Sequence, residues 1–95
     1  ALHTLTAFDA TKPVDLERCE AMGAESLKLC VDAGCCLTGE HGVGIEKRDL
    51  MTHQFAPQDL EIQMTIKDVF DPSWLLNPAK VFPLTSSASR RIAAE

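Results

Sequence analysis

Ninety-five residues carrying a net charge of −5, 45% apolar and 24% charged, describe one small domain. The nine basic residues are scattered apart from Lys47-Arg48 and Arg90-Arg91, and binding a phosphate backbone requires a concentrated basic face, so nucleic acid is excluded as a partner. No run of about 18 apolar residues is present to span a membrane, and a chain this short has little interior in which to enclose a large cofactor.

Residues 2–8 (Leu-His-Thr-Leu-Thr-Ala-Phe) are rich in Thr and large apolar side chains and read as a strand. Strand alternation places His3 with Leu5 and Ala7 on one mostly apolar face, where a hydrogen-bonded core or edge histidine is the plain interpretation. The chain starts without Met and without the basic, then apolar, opening of a secretory signal, as a fragment or a processed piece does. After a polar connection, the apolar residues Leu16, Cys19, Met22, Leu27, Cys30 and Val31 recur at helical spacing and predict a helix over 14–33. Glu17 and Glu20 favour its start, and Gly34 sits where a C-terminal glycine belongs. Cys19 and Cys30 fall on the apolar face and are expected in the core. None of the four cysteines forms a CxxC pair, and Cys35-Cys36 is a vicinal pair that closes only with strain. Reduced thiols and a cytoplasmic setting follow.

The helix runs into Gly39-Glu40-His41-Gly42-Val43-Gly44, the densest chemical signal in the chain. Neighbouring side chains on a regular strand point to opposite faces, so Glu40 and His41 share a site only where the backbone bends, and glycine permits that bend. A carboxylate beside an imidazole suits metal ligation and proton transfer, although a Gly-rich loop with one acid and one histidine is equally an ordinary surface turn. Residues 45–51 predict a short helical turn. Residues 57–70 predict a second amphipathic helix, opened by Pro57, with Leu60, Met64, Ile66, Lys67 and Phe70 as its apolar stripe and Asp71-Pro72 as its end. Residues 71–83 carry three prolines yet also Trp74, Leu75, Leu76, Val81 and Phe82. So apolar an irregular stretch must pack against something, and because the rest of the chain is small, that something is expected to be another domain or a partner. Residues 84–95 are small and polar and are expected to fray.

Three blocks together resemble the C-terminal end of the flavin-linked 2-hydroxy-acid oxidases and dehydrogenases of the vanillyl-alcohol-oxidase superfamily, of the glycolate oxidase and D-lactate dehydrogenase kind. They are Leu2-His3, similar to the end of a G-D-G-N-L-H segment; Thr38 through Gly44 with Lys47; and Phe70-Asp71-Pro72 followed by Leu76-Asn77-Pro78-Ala79-Lys80-Val81. The resemblance implies an α+β fold: a fragment of a ferredoxin-like cap (substrate) domain, with a small antiparallel sheet and two main helices. Residues 1–70 would be the C-terminal part of that domain, 71–83 a Pro-rich return toward the flavin domain, and 84–95 a flexible tail. It further implies FAD, bound mainly by a domain that this chain lacks, so that the chain alone is inactive. His3 and Glu40 become ligands of a divalent metal such as zinc or manganese, with a further upstream histidine completing the set. His41 becomes the base that takes the hydroxyl proton of a 2-hydroxy acid as hydride passes to the flavin. Asn77 and Lys80 become residues packing near the flavin ring. Implied partners are a small 2-hydroxy acid, the FAD-binding domain of the same protein, an iron–sulfur electron-acceptor subunit and a second copy of the chain, with peripheral contact at the inner membrane.

The chain departs from the family pattern at two residues. Cys35 stands where relatives usually carry a second glycine, and Ala79 replaces the glycine of LNPGK, where a positive φ would cost about 1 kcal/mol. Two other functions fit the residues: a stand-alone interaction domain that dimerises through 74–82, or a small metal module using His3, Glu40, His41 and His53, although no motif surrounds His53 and a solvated residue is expected there.

Overall fold

The computed structural model describes residue 7 and residues 9–93. Helix α1 (Pro13–Asp32) begins with a proline in its first turn, where the missing N–H was without an intrahelical partner in any case. It ends as the sequence predicts. Gly34 adopts φ +93°, and two crossed hydrogen bonds of 2.9 Å close the helix, Gly34 N–H to Val31 O and Cys35 N–H to Cys30 O. A 3-10 turn (Arg48–Leu50) leads into the short helix α2 (Met51–Gln54), matching the helical turn expected there. Helix α3 (Pro57–Phe70) has the predicted bounds. Helix α4 (Ser86–Ala93) closes the described chain.

No strand occurs among the described residues. The expected small antiparallel sheet of an α+β fold is therefore not confirmed, and the described residues are helical. The strand expected over 2–8 lies outside the described residues except for Ala7. The physical reason is plain in the rest of the chain: apolar residues recur at helical rather than two-residue spacing, and prolines interrupt 71–83.

The core is built from Leu37, Met51, Leu60, Met64, Trp74 and Ala88. It gathers α2, α3, α4 and the irregular segment, whereas α1 buries no residue and leans on the core only through Leu27 and Val31. Only the last turns of α1 reach the core, which corrects the expectation for the thiols: Cys19 is half-buried and Cys30 exposed. The stripe expected on α3 also divides. Leu60 and Met64 turn inward with the stem of Lys67, while Ile66 and Phe70 join Ile62 and Val69 on an outward face, with Phe70 83% exposed. With Met22 and Leu29 of α1 also exposed, a good part of the apolar surface is uncovered. The radius of gyration, 15.1 Å, exceeds the roughly 12 Å of a free-standing domain of this length.

Trp74 is the hub of the irregular segment. It is 3% exposed, and its indole N–H donates to Asp68 Oδ1 at 2.6 Å. Lys67 Nζ and the Arg91 guanidinium lie 5.1 and 5.7 Å from the ring centroid, within reach of its π face. Phe82 lies against it with centroids 6.0 Å apart. The Trp74 anchor of this segment is thus satisfied within the chain, while Leu75 and Leu76 of the same segment remain exposed.

The stretch expected to fray instead carries α4. Its start is capped, the Ala88 N–H donating to Thr85 Oγ1 at 3.4 Å. Arg91 fixes it to α3 by donating to both carboxylate oxygens of Asp68 at 3.1 and 3.2 Å and to Glu61 Oε1 at 2.8 Å. Ala88 and Ile92 add its apolar contacts with the core.

Candidate active site

The Gly-rich loop bends as its glycines allow. Gly42 and Gly44 adopt φ +88° and +56°, and the Gly42 N–H donates to Thr38 Oγ1 at 2.8 Å, closing a tight turn around Glu40 and His41. The two side chains come together in consequence: His41 Nε2 lies 3.7 Å from Glu40 Oε1. That separation is longer than a hydrogen bond but short enough for both groups to meet one small ligand. Both side chains are largely exposed. The third residue of the expected set, His3, lies outside the described residues.

The loop is tied to the LNPAK block from two directions. The Val81 N–H donates to Gly44 O at 2.8 Å, and Arg48 Nη1 donates to Ala79 O at 2.8 Å. Two motifs more than thirty residues apart in sequence thus form one structural unit. Positive φ occurs at Trp74 just before the block and at Asn77, Ala79 and Val81 within it. At Ala79 the value is +61°, so the alanine stands in the left-handed conformation that glycine tolerates best. Asn77 and Lys80 are exposed and face each other, with Lys80 Nζ donating to Asn77 Oδ1 at 3.4 Å.

The start of the block is fixed electrostatically. Lys67 Nζ donates to Asp71 Oδ2 at 2.8 Å and to Leu76 O at 3.0 Å. Asp71 in turn accepts the N–H groups of Leu75 and Leu76. The hydrogen bond from Lys67, with these two backbone donors, holds the Asp71 carboxyl below its usual range.

His53 does not join the loop. It is exposed, as expected, and its Nε2 lies 2.9 Å from Asp32 Oδ1 at the end of α1, which links α1 to α2. Beside it, the Leu37 N–H donates to Gln54 Oε1 at 3.0 Å. Among the described residues no group of three or more His, Cys, Asp or Glu is placed to hold a metal ion. A shallow concavity lined by Ala21, Met22, Glu25, Ser26 and Leu29 belongs to the middle of α1, not to the loop.

Sequence reasoning missed two positioning residues. Thr38 had a readable signal, a hydroxyl four residues before a glycine in a tight turn. Arg48 had none, because its acceptor, the Ala79 carbonyl, is 31 residues away.

Residues 1–81 match the family described as FAD linked oxidases, C-terminal domain. The chain belongs to the FAD-linked oxidases. It is 42% identical over 82 residues to glycolate oxidase subunit GlcD of Escherichia coli, covering 86% of this chain and 16% of that protein. Glycolate oxidase subunit GlcD of Bacillus subtilis is 32% identical over 94 residues, or 99% of this chain and 20% of its own length. D-lactate dehydrogenase (cytochrome) 1, mitochondrial, of Saccharomyces cerevisiae is 33% identical over 70 residues, 74% of this chain and 12% of that protein. The chain therefore spans about a fifth or less of these curated relatives. No solved structure matches it at a significant level. The FAD-linked oxidase match takes in the Gly-rich loop and reaches to Val81, the residue whose N–H closes the LNPAK block onto Gly44.

Proposed function

We propose that this chain is the C-terminal part of a flavin-dependent oxidoreductase that converts a 2-hydroxy acid of the glycolate or D-lactate class to the 2-oxo acid, and that it contributes the base to a site completed by an FAD-binding domain. The observation that carries the reading is the loop at Glu40 and His41, bent by glycine so that the two side chains lie 3.7 Å apart, within a chain whose family is that of the FAD-linked oxidases. A neutral His41 imidazole would accept the substrate hydroxyl proton, a transfer worth roughly 10²–10⁴ in rate. When bound, FAD supplies the acceptor for the hydride that leaves the α-carbon. The Asn77 amide and the Lys80 ammonium, exposed on a segment that Arg48 holds, suit the polar edge of a flavin. Glu40 would supply an oxygen ligand, and His3 a nitrogen ligand, to a divalent cation such as zinc or manganese, whose Lewis acidity favours loss of that hydroxyl proton. The cap-domain fold, the iron–sulfur partner subunit and the inactivity of the chain alone belong to the same reading. The uncovered apolar faces of α1 and α3 support it, since they are the surfaces a larger protein would bury.

The test is His41→Ala and His41→Gln in the full-length protein. Turnover should fall by at least two orders of magnitude while the flavin absorbance per mole of protein stays unchanged. Turnover within a factor of about three of the parent would remove His41 from the role of base.

A further inference from the structure

We propose that Cys30 and Cys35 form a peroxide-sensitive disulfide that staples the C-terminal cap of α1, directly upstream of the Gly-rich loop. The cap brings the pair together. The Cys35 N–H donates to Cys30 O at 2.9 Å, which keeps the two Cα atoms within about 7 Å, close to the upper end of the range a disulfide spans. In helix caps of this kind, the side chain of the residue after the left-handed glycine frequently packs on the residue four or five positions earlier. Here those residues are Cys35 and Cys30, with Gly34 at φ +93° between them. Both cysteines are exposed in this chain.

The competing pairings are poorer. Cys35–Cys36 would close an eight-membered ring through a distorted peptide, and the residue after Cys36 cannot shift to relieve it. Leu37 is 2% exposed and its N–H is held by Gln54. Cys19 lies eleven residues before Cys30 on α1, about 16 Å along the helix axis. The chemistry balances with hydrogen peroxide as the oxidant. The Cys35 thiolate attacks the O–O bond to give a sulfenic acid, with the departing hydroxide protonated to water. The Cys30 thiol then attacks the Cys35 sulfur, releasing a second water and forming the S–S bond; two thiols are oxidised and one peroxide reduced.

Peptide mapping of the full-length protein after hydrogen peroxide treatment and alkylation tests this directly. Tryptic cleavage after Lys28 and Lys47 releases one peptide containing Cys30, Cys35 and Cys36. The expected product is two hydrogens lighter and carries one alkyl group, on Cys36. Cys36→Ser keeps the bridge, Cys30→Ser and Cys35→Ser abolish it, and Gly34→Val, which opposes the left-handed cap, slows its formation several-fold. A Cys35–Cys36 bridge, three alkylated thiols after peroxide, over-oxidation without a bridge, or a link to a cysteine elsewhere would overturn the proposal.

Discussion

The two halves of this chain hold together by different means. Around Trp74, the segment 71–83 has no regular secondary structure, yet an indole N–H, two cations and a run of carboxylates fix it to α3 and α4. Around Glu40 and His41, the chain runs from a regular, correctly capped helix into the loop, yet α1 buries no residue. Regularity and stability are thus uncoupled here. The irregular half is the more tightly determined because its polar groups find partners within the chain, and a helix gains most of its stability from a packed face rather than from its own backbone.

Trp74→Ala is the sharpest way to break this contrast. It should cost about 3–5 kcal/mol, measured by urea denaturation, because it empties a buried site and strands Asp68, Lys67 and Arg91 around the gap. A loss below 1 kcal/mol would mean that the segment is held elsewhere. Arg91→Ala should cost roughly 2 kcal/mol, releasing α4 while leaving α1 and the loop unchanged.

The same network sets an acid limit. Hydrogen bonds from Arg91 hold the Glu61 and Asp68 carboxyls below their usual values, and one from Lys67 does so for Asp71. A carboxylate with a depressed folded pKa stabilises fully above its unfolded value and loses that contribution as pH falls through the folded one. The ordinary values are 4.5 for Glu61 and 3.8 for the aspartates. The melting temperature should therefore be level from neutral pH to about 5 and fall below about 4. Arg91→Ala should flatten that fall, and an unchanged slope would dissociate the ion pairs from acid unfolding.

Ala79→Gly should raise stability by about 1 kcal/mol by relieving the left-handed alanine, read by thermal denaturation. A destabilised variant would show that the alanine methyl group packs usefully. Smallest of all, Leu29→Ser in the isolated 95-residue chain should change stability by less than about 0.5 kcal/mol, since Leu29 is 71% exposed. A larger loss would place a partner on that face of α1.

Much was legible because it depends on neighbours in sequence. Proline at helix starts, a glycine after α1, and Asp71-Pro72 after α3 act through local sterics, and these predicted the two main helices nearly to the residue. The glycines around Glu40 and His41 likewise announced a bend, and the substitution at Ala79 announced its own strained φ. Packing was harder to read. Cys30 and Phe70 have apolar side chains at helical spacing, yet both are exposed, because a helix has more than one such stripe and only contact with the rest of the fold selects which is buried. Residues 84–95 looked frayed because α4 is held by Arg91, whose acceptors Glu61 and Asp68 lie on another helix.

By itself the sequence determined the two main helices, their ends, the bend in the Gly-rich loop and the family. These follow from backbone sterics and from residue types at fixed spacing. Only the tertiary structure decided that Arg48 and Val81 bind the loop to the LNPAK block, that Trp74 turns inward between two cations, and that His53 pairs with Asp32. Each of these is a contact between residues far apart in the chain, and nothing in the local sequence specifies which distant partner a hydrogen-bonding group will meet.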